Sequence, residues 1–168
     1  MRLTIAEASR QIRLLNSKKA GIEIKEGNAR TFIAATTEDI ETVRPKYDYE
    51  QTQEEIADID KKVREIKHAL TVFNTSTIVP GFEDMTVDQL LIYIPQLNKQ
   101  LEKLDLMRAQ PAKQRKINSH SGNIIDYEYA NFDTEKVAAD YAALAELIAK
   151  AQSAIDIINN TETIEVDI

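Results

Sequence analysis

The chain has 168 residues, a formal net charge of −7, 43% hydrophobic and 29% charged residues, and neither cysteine nor tryptophan. This is the balance of a globular chain rather than a disordered one, and a single domain of this length buries roughly 68–70% of its unfolded surface. The missing cysteines exclude disulfides, thiolate metal ligands and thiol nucleophiles, while the acidic balance disfavours a general affinity for nucleic acid.

With only four glycines and four prolines, the chain has few breaks, and long helices are expected. The first is predicted over about residues 3–24, where Ile5, Ala8, Ile12, Leu15 and Ile22 share one face and Lys19 interrupts the heptad. Thr4 and Glu7 are spaced as a capping box at its start. The second, over about 49–73, places Ile56, Ile59, Val63, Ile66, Leu70 and Phe73 at alternating intervals of three and four, which keeps one seam facing a partner helix. Asp48 with Gln51 reads as its cap, and Asp58 with Lys62 and Asp60 with Arg64 read as pairs along its surface.

The third helix, about 86–108, opens on the capping pair Thr86 and Gln89, and its seam is Val87, Leu90, Ile94, Leu97, Leu101 and Leu104. Pro95 falls inside it, so a bend is expected at the unpaired carbonyl of Leu91. The fourth, about 133–159, is alanine-rich, with Val137, Tyr141, Leu144, Ile148, Ala151, Ile155 and Ile158 as its seam. Phe132 before its cap and Val137 after it suit a hydrophobic staple.

Two of the three connections are too long for simple bundle loops. Residues 31–36 (TFIAAT) alternate like a strand, and so do residues 124–131, where Ile125, Tyr127 and Tyr129 alternate with Asp126 and Glu128. Ser121 and Gly122 precede the second as a turn signal, and Pro80-Gly81 marks a turn in the remaining connection, residues 72–85. In an up-down-up-down arrangement the two long loops fall at one end. The expected architecture is therefore mostly α: one domain, an antiparallel four-helix bundle of helical hairpins with coiled-coil-like heptad packing. The two loop strands are expected to pair with each other as a small β element, Ile33 and Tyr127 or Tyr129 facing the bundle.

The order of parts resembles the septicolysin-like family of small bacterial helical proteins. The likeness lies in HALTVFNTST followed by GFEDMTVDQLL, in NIIDYEYANFD leading into a helix, and in the closing IDIINNTETIEVD. It implies helical hairpins with intervening strands. The family name implies a membrane-active toxin, although a thiol-activated one would want the cysteine that this chain lacks.

Residue chemistry points to no catalytic constellation, cofactor or metal centre. His68 falls opposite the second seam, and His120 lies in the polar stretch NSHSGN with no partner to identify. Glu65 and His68 give the Glu-x-x-His spacing of carboxylate-bridged metal sites once, off the seam and without a second copy. Glu54, Glu55, Asp58 and Asp60, and the closing Glu162, Glu165 and Asp167, read as solvated acids, and Asp105 sits beside the third seam. One region runs against the net charge: residues 96–120 hold six bases (Lys99, Lys103, Arg108, Lys113, Arg115, Lys116) against Glu102 and Asp105. The basic stretch 113–116 with Tyr127 and Tyr129 gives an RNA-binding alternative.

The segment MRLTIAEASRQIRLL lacks the apolar core of a signal peptide, and no apolar run approaches the ~20 residues of a membrane span. A cytoplasmic location without a membrane span is expected. Leu91, Ile92, Leu106, Met107, Leu147 and Ile157 lie outside the seams. They lead to the principal functional expectation: a non-enzymatic interaction or scaffolding protein that forms a homo-oligomer, a dimer by default, with an unidentified protein as a possible further partner. Residues 72–85 covering Ile92 within one chain is the alternative.

Overall fold

A computed structural model of the chain describes residues 1–116 and 125–167. In order, the elements are β1 (Arg2–Thr4), α1 (Ile5–Ala29), α2 (Ile40–Val43), α3 (Tyr49–Ser76), β2 (Ile78–Val79), β3 (Phe82–Thr86), α4 (Val87–Arg108), β4 (Lys113–Lys116), β5 (Asp126–Tyr129), α5 (Thr134–Thr161) and β6 (Thr163–Glu165). The chain divides into two compact units, Met1–Asn74 with Ile158–Ile168, and Thr75–Ile157.

In the first unit, Thr4 caps α1 through its side chain, which accepts from the Glu7 amide, while Glu7 Oε2 accepts from the Thr4 amide at 2.8 Å. Asp48 caps α3 by accepting from the Gln51 amide at 3.0 Å. Leu3, Ile5 and Ala8 are buried with Ile66, Ile164 and Val166, and Ile12, Leu15, Leu70 and Phe73 pack against that cluster. The two helices run antiparallel. Ala8 shares the core with Ile66, and further along α1 Lys18 pairs with Glu55 and Lys19 with Asp60.

The apolar cluster is closed by a ribbon that joins the two ends of the chain. β1 and β6 are antiparallel, with Leu3 opposite Ile164, so both side chains lie on the same, buried face. Met1 and Val166 extend it: the Val166 amide donates to the Met1 carbonyl at 2.8 Å, and the Met1 ammonium donates to the Val166 carbonyl at 2.6 Å. Leu3 therefore belongs to a strand, and α1 starts at Ile5 and runs to Ala29, five residues beyond the expected end.

The second unit opens with the β2–β3 hairpin around Pro80-Gly81. Gly81 has φ +82°, a left-handed backbone that only glycine adopts without strain. Its amide donates to Glu83 Oε1 at 3.0 Å. Val79 and Phe82 are buried, as are Val87, Leu90 and Leu97 of α4 and Val137, Ile148, Ala151 and Ile155 of α5. Thr86 caps α4 in a capping box with Gln89, and Asp133 accepts from the Glu135 and Lys136 amides to start α5. The Arg108 guanidinium lies 4.1 Å from the centre of the Tyr141 ring, while Lys150 reaches the Phe82 ring at 6.0 Å. These contacts set α4 and α5 antiparallel.

One expected pairing is replaced by another. Residues 31–36 are not a strand: they form an irregular segment and turn leading to the single helical turn α2, and Ile33 is 96% exposed. The strand expected at 124–131 forms over Asp126–Tyr129, and its partner is Lys113–Lys116 from the same loop. The small β element at this position is thus a local hairpin of one long loop, not a pairing of two. A local hairpin closes fewer residues of chain than a pairing across some ninety residues, so it needs less loop-closure entropy. The turn signal Ser121-Gly122 lies outside the described residues.

Candidate functional site

The β4–β5 ribbon carries the most distinctive surface. Its register sets Lys113 opposite Tyr129, Gln114 opposite Glu128, Arg115 opposite Tyr127 and Lys116 opposite Asp126. Directly opposed residues share a face, and successive residues alternate between faces. One face therefore holds Lys113, Arg115, Tyr127 and Tyr129, two cations and two aromatics with no acid. The other holds Gln114, Lys116, Asp126 and Glu128.

The acid-bearing face is internally paired. Glu128 Oε2 accepts from Gln114 Nε2 at 2.6 Å and from Lys116 Nζ at 2.8 Å. The bond from Lys116, then that from Gln114, holds the Glu128 carboxyl below its ordinary range. On the cationic face the Lys113 ammonium lies 4.1 Å from the centre of the Tyr127 ring and 5.3 Å from that of Tyr129. The two rings are 6.4 Å apart and tilted by 50°. Tyr127 is 46% and Tyr129 61% exposed, and every residue of β4 is exposed.

A second polar region lies along the α1–α3 seam. Lys19, the residue that breaks the heptad, donates to both carboxylate oxygens of Asp60 at 2.8 and 2.7 Å. Asp60 keeps the Lys19 ammonium above its ordinary range. One heptad on, Glu26 Oε1 accepts from Tyr47 Oη at 2.7 Å and from Gln53 Nε2 at 2.9 Å. Beside this pair runs an open groove of about 610 Å³, whose lining includes Lys18, Lys25, Lys46, Asp48 and Glu55. Its charges are mixed and mostly exposed, which gives it no single ligand chemistry.

The Glu26 carboxylate, followed by desolvation, pushes the Tyr47 phenol up from 10.0 to about 12. The folded chain thus keeps this proton where the unfolded chain loses it. The contact's contribution to stability is complete below about pH 10 and disappears between roughly 10 and 12, as the linkage of protons to folding requires. Alkaline titration of phenolate absorbance should show a component near pH 12, and Glu26→Gln should return it towards 10. An unchanged titration in that variant would mean that the Tyr47–Glu26 bond does not persist in solution.

The remaining sequence candidates do not converge. Glu65 and His68 are both exposed on α3, as are Glu54, Glu55 and Asp58, and Glu55 is paired with Lys18. Asp60 pairs across the seam with Lys19, not with Arg64 along its own helix. Asp105 pairs with Arg108 at 2.8 Å, a bond that raises the Arg108 guanidinium above its ordinary range. Glu162, Glu165 and Asp167 are exposed around the terminal ribbon. His120 lies outside the described residues. Among the described residues no group of three or more His, Asp and Glu is placed to hold a metal ion, and no helix is long and apolar enough to cross a membrane.

On α4, Leu91, Ile92 and Leu106 are 43%, 56% and 71% exposed, so residues 72–85 leave Ile92 open. On α5, Ile157 is 62% exposed, whereas Leu147 is half-buried.

No protein-family model matches the chain, and no curated protein matches it. It is similar in fold to a functionally unknown conserved protein from Corynebacterium diphtheriae, known from its crystal structure. The two share 14% identity with a TM-score of 0.60, over 98% of this chain and all of that one. That likeness concerns the fold alone. It extends over nearly the whole of this chain, but a neighbour without a known function brings no activity with it, and no specific biochemical function is readable from it.

Proposed function

We propose that the chain is a non-enzymatic interaction protein that self-associates through the outward side of α4. The observation that carries this reading is the exposure of Leu91, Ile92 and Leu106. At 3.6 residues per turn these three and Pro95 fall within roughly 100° of the helix circumference, opposite the side that bears Leu90 and Leu97. They make an apolar strip outside the heptad seam, interrupted by Asp88, Lys99 and Glu102. A second copy of the same strip is its natural occupant, because a two-fold axis that sets Lys99 of each antiparallel copy opposite Glu102 of the other also sets Leu106 opposite Pro95. The heptad packing expected within each helix pair belongs to the same reading, since it leaves such outward positions for a partner.

Light scattering tests it directly. The expected mass at micromolar concentration is twice 19.0 kDa, and Ile92→Glu should return it to the single-chain value with helicity intact. Ile157→Glu, on α5, tells whether that helix shares the interface. A single-chain mass for the wild type would overturn self-association.

A further inference from the structure

We infer that the Lys113–Arg115–Tyr127–Tyr129 face of the β4–β5 ribbon binds single-stranded nucleic acid. This surface is separate from the α4 strip, and the inference does not depend on self-association. Its basis is the sorting of charge by register. Two cations and two exposed tyrosines occupy one side of the ribbon, and both of its acids occupy the other.

Spacing selects the form of the strand. The ring centres of Tyr127 and Tyr129 are 6.4 Å apart, close to the two-residue repeat of a strand at about 3.3 Å per residue. Bases in a duplex follow one another at about 3.4 Å along each strand. Bases resting on successive rings must therefore be drawn apart, which a flexible single strand permits and a duplex does not. An aromatic face beside a cationic groove is the usual means of holding such strands, and it tolerates many sequences because every base offers a ring face.

Charge is consistent with this despite the net −7 of the chain. At physiological salt the screening length is about 8 Å, so a phosphate over the ribbon responds mainly to the groups around it. Lys113 and Arg115 are exposed there, and Glu128 is turned away and tied to Lys116 and Gln114. In the free protein the Lys113 ammonium rests over the two rings. On binding it transfers to a phosphate, which opens the ring faces to the bases.

The test is fluorescence anisotropy with the full chain and a labelled oligouridylate, at low and physiological salt. Unlabelled duplex and polyglutamate serve as competitors. Wild type should bind the single strand, with log affinity falling against log salt at a slope of about −1.4 for two phosphate contacts. Tyr127→Ala and Tyr129→Ala should each weaken binding by roughly 5- to 150-fold. Gln114→Ala, on the opposite face, should leave it unchanged. All three positions are exposed, so circular dichroism of the variants should match wild type. No binding at low salt would overturn the inference. So would affinity indifferent to both tyrosine substitutions, or equal competition by polyglutamate, which has charge but no bases.

Discussion

Ile66→Asp should abolish cooperative folding of the first unit. Ile66 is fully buried, and its neighbours in the core are Leu3, Ile5, Ala8, Ile164 and Val166. None of these side chains offers a hydrogen-bond donor to a carboxylate. Burying an unpaired charge costs several kcal/mol, and removing the isoleucine packing adds roughly 2–5 kcal/mol. Together these rival the ~5–15 kcal/mol that holds a typical domain folded. His68→Asp, two residues along the same helix and exposed, should change stability by no more than about 0.5 kcal/mol. Leu97, 3% exposed on α4, is the corresponding test in the second unit. Thermal melting followed by circular dichroism reads all three. If Ile66→Asp and Leu97→Asp melt as wild type does, the assignment of these seams to the core is wrong.

The helices were legible because their apolar residues recur at three and four, and because each start carries a side chain that accepts from an amide within the first turn. Thr4, Asp48, Thr86 and Asp133 all cap as their spacing predicts. Lys19 looked like a flaw in the first seam. The reason it is tolerated is Asp60, forty-one residues away, and no local pattern records such a partner. Strand pairing was the weak point. Residues 31–36 have the alternation of a strand, but alternation without a partner does not make one. The actual partner of β5 is KQRK, whose four exposed side chains carry no apolar signal at all. The terminal ribbon was missed for a related reason: Leu3 with Ile5 and Ile164 with Val166 do alternate, but each run is short enough to be absorbed into an adjoining helix or tail.

The candidate site was half legible. Tyr127, Tyr129, Arg115 and Lys116 stand out in the sequence as bases near aromatics. Their division between two faces does not, because it depends on the register. Lys116 proves to belong with Glu128 on the opposite side, and Lys113 takes the place beside the tyrosines. A pattern of charge along the chain shows where bases accumulate. Only the pairing of one strand with another shows which of them a ligand meets together.

Pro95→Ala should raise stability, the opposite of what most substitutions do. α4 runs without a break from Val87 to Arg108 with Pro95 in its interior, and Pro95 is exposed. Proline there donates nothing to the Leu91 carbonyl, and its ring crowds the preceding turn, together worth about 3 kcal/mol in a helix interior. Alanine restores the bond and removes the crowding, while the gain in unfolded-chain entropy returns up to about 1 kcal/mol. The net expectation is about 2–3 kcal/mol, or roughly 4–12 °C in melting temperature for a chain of this size. Pro95 also lies within the strip of Leu91, Ile92 and Leu106, so the measurement bears on self-association. If the melting temperature rises and the mass stays double, the proline is incidental to the interface. If the temperature rises while the mass falls to 19.0 kDa, the proline ring shapes the surface that the second copy meets. A lower melting temperature with helicity intact would show that the proline's packing outweighs the missing bond, and the helix-interior argument would fail.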